Sequence, residues 1–518
     1  MAILFAVLCV KKIFDLSAAP TTSKACDFIF PESVDQTKPT IIRVVQHPDS
    51  SYILEFEQRG GIINDASCLN KTAVHGIVKI SNTEDVRHAL AYARENNLKV
   101  TSAGERHSMG GHSFVKNGLV LDMRAMNEIN VDAHGKILTV GSGAKWVEIQ
   151  KFLDARGLSV KAMQSINIFT VGGSLSVNAH GIAHDPGQVA STVKSLRIMT
   201  ATGEIKIASP TENSDLFAHA LGGYGLFGVI LDAQIEVVPN ELYEVKTDYT
   251  DYKSFPEYYA KNIPGNKNIG LFYARLSVSP TSFLRETAVH TYEKINSAEV
   301  LPPLQPDVHD ALARFVINFS KTGKIGRWVR WNLEKFALPR LRSCMTRNAA
   351  MSQKEVCIVS RNQEMYDSMR YLKNRLPDTD ILQEYFIPPD KMAAFVDALR
   401  TTVIKNDANL LNVTIRIVHA DTITALPYAP GERFAFVLYF NQKFTTRDSE
   451  ILKKTTTDLI DAATNLGGSF YLPYQLVYTP AELHAAYPNI DSFFAAKKKM
   501  DPTELFTNTF YEKYGGGS

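Results

Sequence analysis

The sequence predicts an α+β protein of two unlike domains, and three observations predict it. Glycine-bearing loops recur at residues 103–113, 170–181 and 222–228. Between Ala73 and Pro239, short strand patterns alternate with amphipathic helix patterns. After Pro239 the glycine density falls while strands go on alternating with helices, which marks a second, substrate-facing domain. The expected boundaries are an N-terminal extension at 1–65, a cofactor-binding domain at 66–240, a substrate domain at 241–466, a segment at 467–514 returning to the first domain, and a tail at 515–518.

Composition bounds the function. The 518 residues, 45% hydrophobic and 21% charged, suit two or three ordinary folded domains. A net charge of +2 gives no footing for nucleic acid. Five cysteines without metal-type spacing predict neither a disulfide framework nor a zinc site. Residues 2–10 are apolar, far short of the roughly 20 that span a bilayer. Their flanking charges, Lys11 and Lys12, follow the run instead of preceding it as in a signal peptide. The expected location is cytoplasmic, with a weak membrane anchor as the alternative.

In chain order, 76–80 reads as a strand. Ser81 and Glu84 have capping-box spacing before a helix that turns Val86, Leu90 and Ala93 inward. Residues 99–102 form a strand running into the first glycine loop. Strands follow at 119–122 and 137–140, then a helix at 145–155 with Trp146, Ile149, Phe152 and Leu153 inward and Gly157 at its end. Residues 193–200 and 205–208 read as a hairpin, 214–221 as a helix, and 229–238 as a strand. Strands at 269–276, 412–419 and 435–440 belong to the second domain. Residues 321–347 carry eight Lys or Arg and one acid, interleaved with Trp328, Trp331, Phe336 and Leu338. Such a stretch suits an anionic membrane surface or a solvated helical face over its core residues.

Glycines let a backbone approach a ligand closely, and successive N–H groups in a tight turn make an anion-binding concavity. Three such turns together suggest a cradle for a diphosphate cofactor. Residues 223–228 match G-x-G-x-x-G, but a helix precedes them and a strand follows, the reverse of the dinucleotide fingerprint, so a Rossmann fold is rejected. His180 and His184 have the spacing of a zinc helix. They lack the Glu after the first His and enclose Gly181, which leaves a metal-dependent hydrolase only as a competing reading. His107 or His112, in the first loop, offers an imidazole able to form a covalent link to an electrophilic carbon.

The three loops in order resemble the FAD-binding domain of the vanillyl-alcohol-oxidase family, the PCMH-type flavoproteins. The stretch Val100-Thr101-Ser102-Ala103-Gly104-Glu105-Arg106-His107-Ser108 resembles the strand and loop of alditol and aldonolactone oxidases. The resemblance implies a PCMH-type domain of two α/β subdomains, with a cap domain of antiparallel sheet flanked by helices. It implies FAD, bonded covalently through His107 and not His112. The implied cofactor-binding residues are Gly104, Glu105, Arg106, His107, Ser108, Met109, Gly110, Ser113, Gly172, Gly173, Ser176, Asn178, Gly181, Val229, Ile230 and Tyr471. Residues 382–388 and 415–421 resemble substrate-domain strands of decaprenylphosphoryl-ribose oxidase and alditol oxidase, and 467–474 the C-terminal segment of both. A Lys in those families is Tyr474 here, and the alditol-oxidase Glu two before the Arg is Thr414. A tyrosine can donate or accept a proton but offers no fixed positive charge.

The expected chemistry is oxidation of a CH–OH group of a sugar, polyol or lactone-like substrate by hydride transfer to flavin N5, with O2 or another carrier as electron acceptor. Arg416 is the candidate cation for developing negative charge. Tyr474 and His184 are the candidates for proton transfer. Gln383 and Tyr385, on one strand face, are the candidates for binding substrate hydroxyls. A membrane-associated enzyme acting on a lipid-linked sugar or sterol-like lipid is the alternative.

Overall fold

Three large sheets and a two-stranded ribbon, Ile62–Ile63 with Thr72–Ala73, carry the described residues. The first has five strands in the order Val44–Gln46, Ile53–Arg59, Gly76–Lys79, Leu119–Asp122, Val100–Ala103, the last three parallel. The second is antiparallel: Ile205–Ala208, Val193–Met199, Val229–Pro239, Ile137–Gly141, Ile129–Val131, with Leu158–Val160 joining the far half of Val229–Pro239. The third is an eight-stranded antiparallel sheet: Ile358–Ser360, Leu242–Asp251, Glu286–Lys294, Ile269–Leu276, Leu410–Val418, Arg433–Lys443, Asp378–Ile387, Ser469–Phe470. Helices Met392–Asn406 and Thr446–Asn465 pack on one another, and the latter also covers the strands Asp378–Ile387 and Arg433–Lys443. The molecule is thus α+β. This computed structural model describes residues 11–18, 44–46, 53–295, 301, 304, 310–337, 358–365 and 376–516. The apolar run 2–10, Cys9, Cys26, Cys344 and Cys357, Leu338 and the basic residues after it, and the last two residues of the tail lie outside these.

Local sequence accounts for most elements. The helix Thr83–Glu95 buries Val86, Ala89, Leu90 and Ala93. Its capping box uses Asn82 and Asp85, one residue on from the predicted Ser81 and Glu84, because the Asn82 side chain reaches the Glu84 and Asp85 amides. The helix Trp146–Asp154 buries Trp146, Ile149 and Leu153. Phe152 instead lies half-exposed under the Arg156 guanidinium, 3.6 Å from its ring centroid. Strand Val193–Met199 turns back into Ile205–Ala208 with Met199 opposite Ile205, as the hairpin reading expects. A short helix, Val171–Ser176, forms inside the second glycine loop, where no helical pattern was read.

One apolar core runs through the second and third sheets, and a separate one lies in the first. The C-terminal segment joins the first sheet: Val100 N donates to Leu505 O (2.8 Å) and Thr507 N to Val100 O (3.1 Å). Cys68 is disulfide-bonded. The odd cysteine count did not reveal this bond, which is typical of oxidising compartments.

Candidate active site

The three glycine loops lie against one another. A Cβ on Gly104 would run into Thr170 Oγ1, so the first loop presses on the second. The His107 ring stands 4.2 Å, centroid to centroid, from that of Phe169. Gly222 N donates to Leu175 O (2.9 Å) and Tyr224 N to Ser176 O (2.8 Å), which docks the third loop on the second. The Tyr224 ring lies 5.9 Å from that of His112, joining third to first. Each loop holds one non-glycine residue in the left-handed region: Arg106 (φ 53°), Asn178 (φ 48°) and Tyr224 (φ 54°). Such strain persists only where surrounding contacts over-determine it, and it gathers at ligand sites. Converging, tightly turned backbone of this kind fits a dinucleotide.

The predicted cofactor residues divide into two groups. His107, Ser108, Ser113 and Gly104 are half-buried on the loops, and Gly173 is exposed. Others are held within the protein. Glu105 pairs with Lys145 at 2.7 Å, and Arg106 is buried with its carbonyl accepting from Ala66 N. Met109 N donates to Pro473 O (2.8 Å), and Gly110 lies against the Tyr474 carbonyl. Gly172 N donates to Ser142 O (2.7 Å), and Gly181 is so close to the Met163 carbonyl that no side chain fits. The Asn178 side chain donates to Asp421 Oδ2 (2.9 Å) and accepts from Ala190 N (3.1 Å), so it ties loop to loop instead of facing a ligand. Val229 and Ile230 sit in the sheet opposite Met199 and Ile198, with side chains in the two cores. His112 is wholly buried between Tyr224 and Phe510, and burial pulls its pKa down to about 3. It is a core histidine.

A polar group gathers where the second loop meets the third sheet. Successive residues of Asp378–Ile387 face opposite ways. Glu384 is buried and stands 2.5 Å from His180 Nε2, near as an ion pair but without hydrogen-bond alignment. Arg416 arrives from Leu410–Val418, donating to Ser165 Oγ (2.7 Å) and the His180 carbonyl (3.3 Å), with its Nε unpartnered. Burial draws the Arg416 pKa down while Glu384, Tyr474 and Tyr471 push it back, and a guanidinium keeps its charge. Burial, then the neighbouring Glu384, raises the Tyr474 pKa well above the usual phenol range. Tyr471 donates from its hydroxyl to Val177 O (2.7 Å). His180 Nδ1 and Arg416 Nε are buried without a hydrogen-bond partner, while Glu384 Oε1 and His180 Nε2 face each other. Unsatisfied buried polar atoms are costly and call for an explanation. A bound substrate and cofactor supply one.

Other candidates stand elsewhere. Gln383 and Tyr385 face away from this group: Gln383 Nε2 donates to Thr456 Oγ1 (2.5 Å) and the Tyr385 hydroxyl to Gln383 Oε1 (2.9 Å). Their neighbour is the helix Thr446–Asn465, so their expected substrate contacts are not formed. His184 keeps different company, with its N–H on Gly270 O (3.2 Å) and its carbonyl accepting from His419 Nε2 (2.9 Å). Burial, then His419, lowers its pKa. Residues 177–184 are not helical, so the spacing of His180 and His184 does not align their rings. Among the described residues no cluster of His, Cys, Asp and Glu is placed to hold a metal. Sequence reasoning missed Glu384 and His180 as partners. It also missed Asp65, buried far upstream, whose carboxylate accepts from Gly111 N (2.9 Å), Ser67 and Asn70 and anchors the first loop. Nothing periodic marks Asp65 in the sequence.

Known proteins match along the same lines. Residues 74–209 match the FAD binding domain model, and residues 304–514 match that of D-arabinono-1,4-lactone oxidase. The chain is 29% identical to cytokinin dehydrogenase 2 of Arabidopsis thaliana over 38% of its own length and 40% of the relative's. It is 33% identical to decaprenylphosphoryl-beta-D-ribose oxidase of Mycolicibacterium smegmatis over 32% and 37%. L-gulonolactone oxidase of Bos taurus is similar throughout, 23% identical over 84% of this chain and 93% of the relative. The chain thus spans about two-fifths of the length of the first two relatives.

Proposed function

The chain belongs to the vanillyl-alcohol-oxidase family of FAD-binding oxidoreductases, and from that premise we propose that it oxidises a CH–OH group of a sugar, polyol or lactone-like substrate. FAD, when bound, supplies the hydride acceptor. The backbone of residues 104–113, 170–181 and 222–228 would hold it, and His107 would form the covalent link. The burial of His112 among rings supports His107 over it in that role. In the domain reading, 66–240 binds the cofactor, 241–466 the substrate, and 467–514 closes back on the first.

The protein's own part is positioning and proton handling. Arg416 holds negative charge developing on the substrate oxygen. Glu384, with His180 beside it, receives the hydroxyl proton. Tyr474 stays a phenol because of its burial and donates a hydrogen bond; it is not the base. The carrying observation is a buried carboxylate, Glu384, against the His180 ring, with His180 Nδ1 and Arg416 Nε left unpartnered in the same group.

The test is an anaerobic screen of purified protein. The protein is expected to be yellow, with its absorbance bleached by a sugar, polyol or lactone alcohol. Flavin fluorescence should stay with denatured wild-type chain on a gel and run free from His107→Ala. A colourless protein, or one no alcohol bleaches, refutes the reading. Fluorescence running free from wild type refutes the covalent link alone. Reoxidation in air then separates O2 from another electron carrier. A lipid-borne alcohol is the second reading, favoured by the exposed apolar helices described next.

A further inference from the structure

Twelve large apolar side chains are exposed among the described residues, and seven of them crowd into three short helical segments. Ile13 and Phe14 lie in residues 11–17, Leu312 in Asp310–Lys321, and Ile325, Trp328, Leu333 and Phe336 in Lys324–Asn332 and its continuation Leu333–Ala337. The segments are joined. Asn318 Nδ2 donates to Leu16 O (2.9 Å) and Arg314 to Ser17 O (3.1 Å). These two bonds hold the C-terminal end of residues 11–17 against Asp310–Lys321.

The outward apolar residues are not a core face left uncovered. Helix Lys324–Asn332 already buries Gly326, Arg330 and Trp331, and the Trp331 indole donates to Glu286 (2.8 Å). Ile325, 74% exposed, and Trp328, 47% exposed, form a second apolar face directed at solvent. Contiguous exposed apolar surface of this kind marks an interaction site. Its charge selects the partner. Lys11, Lys12 and Lys324 are exposed on these segments, against one half-buried acid, Asp15. The only acid in residues 321–347, Glu334, is held by Arg275 (2.7 Å) and Arg330 (2.9 Å) and offers no counter-charge. A second copy of this chain would set lysine against lysine.

We propose that this face docks peripherally on an anionic lipid bilayer. Trp328, Phe336 and the aliphatic side chains enter the boundary between headgroups and acyl chains, while the lysines meet lipid phosphates. No described helix is long and apolar enough to cross a membrane, so the contact lies on the surface.

The experiment is co-sedimentation of the full-length holoprotein with phosphatidylcholine vesicles, with and without phosphatidylserine. It needs no turnover and is independent of the oxidase reading. Binding should be at least about tenfold stronger with phosphatidylserine and should weaken as salt rises. The double variant Ile325→Asp, Trp328→Asp should lose at least about tenfold in partitioning. Ile404→Asp, at a 66% exposed residue on another helix, should change nothing. Unaltered flavin content and melting temperature show that the variants fold. Absence of binding to anionic vesicles overturns the proposal. So does equal binding by the double variant, or a dimer that the double variant dissolves while vesicle binding stays the same.

Discussion

The two faces of strand Asp378–Ile387 make an instructive pair. On one, Gln383, Tyr385 and Thr456 close a chain of hydrogen bonds against a helix. On the other, one residue away, Glu384 meets His180, Arg416 and Tyr474 with several polar atoms left unpaired. Both faces are buried and both are polar, so burial and polarity do not tell a site from a scaffold. Completeness of pairing separates these two faces: the closed network stabilises the fold, and the open one has polar atoms to offer a ligand.

This contrast can be broken by substitution. Arg416→Ala should give the largest effect, lowering kcat/KM about 100- to 1,000-fold, because it removes the fixed cation. Glu384→Gln should lower kcat about 100-fold with KM little changed, the mark of a lost proton acceptor. If Glu384→Gln instead left kcat intact and lowered only the melting temperature, the two faces would be alike. On the closed face, Tyr385→Phe should cost about 1–3 kcal/mol of stability by stranding the Gln383 carbonyl, with kcat/KM unchanged, as denaturant melting and steady-state kinetics would show.

A smaller, pH-dependent effect sharpens the distinction between the two loop histidines. His112 is neutral in the folded protein because burial pulls its pKa to about 3. Its unfolded pKa is about 6.5. The stability it contributes is therefore present above pH ~6.5 and is lost as pH falls toward the folded value. Between pH 7 and 5 that loss is about 2 kcal/mol, and His112→Phe should flatten the slope of stability against pH by this amount. His107→Ala, in contrast, should be marked by release of the flavin.

What the sequence showed follows from the range of the interactions involved. The glycine loops, the strand Leu119–Asp122 and the hairpin at Val193–Met199 rest on neighbouring residues and were legible. The capping box slipped by one because Asn82 and Ser81 are both good caps, and the choice depends on backbone angles. Gln383 was read as a substrate contact and Glu384 was passed over for a different reason. Alternation says that they point apart, yet which of them points toward the site depends on a helix some 70 residues later in the chain.

By itself, then, the sequence determined an α+β chain with three cofactor-type loops, an inward Arg416 and the family to which these belong, since each is written in short-range pattern and residue type. Tertiary structure alone decided that Glu384 and His180 stand together, that Asp65 anchors the first loop, that the Asn178 side chain ties two loops and His112 lies in the core, and that seven apolar side chains stay exposed on segments that touch one another. These depend on which distant surfaces meet and which polar atoms are left unpaired when they do. That outcome is settled only after the whole chain has packed.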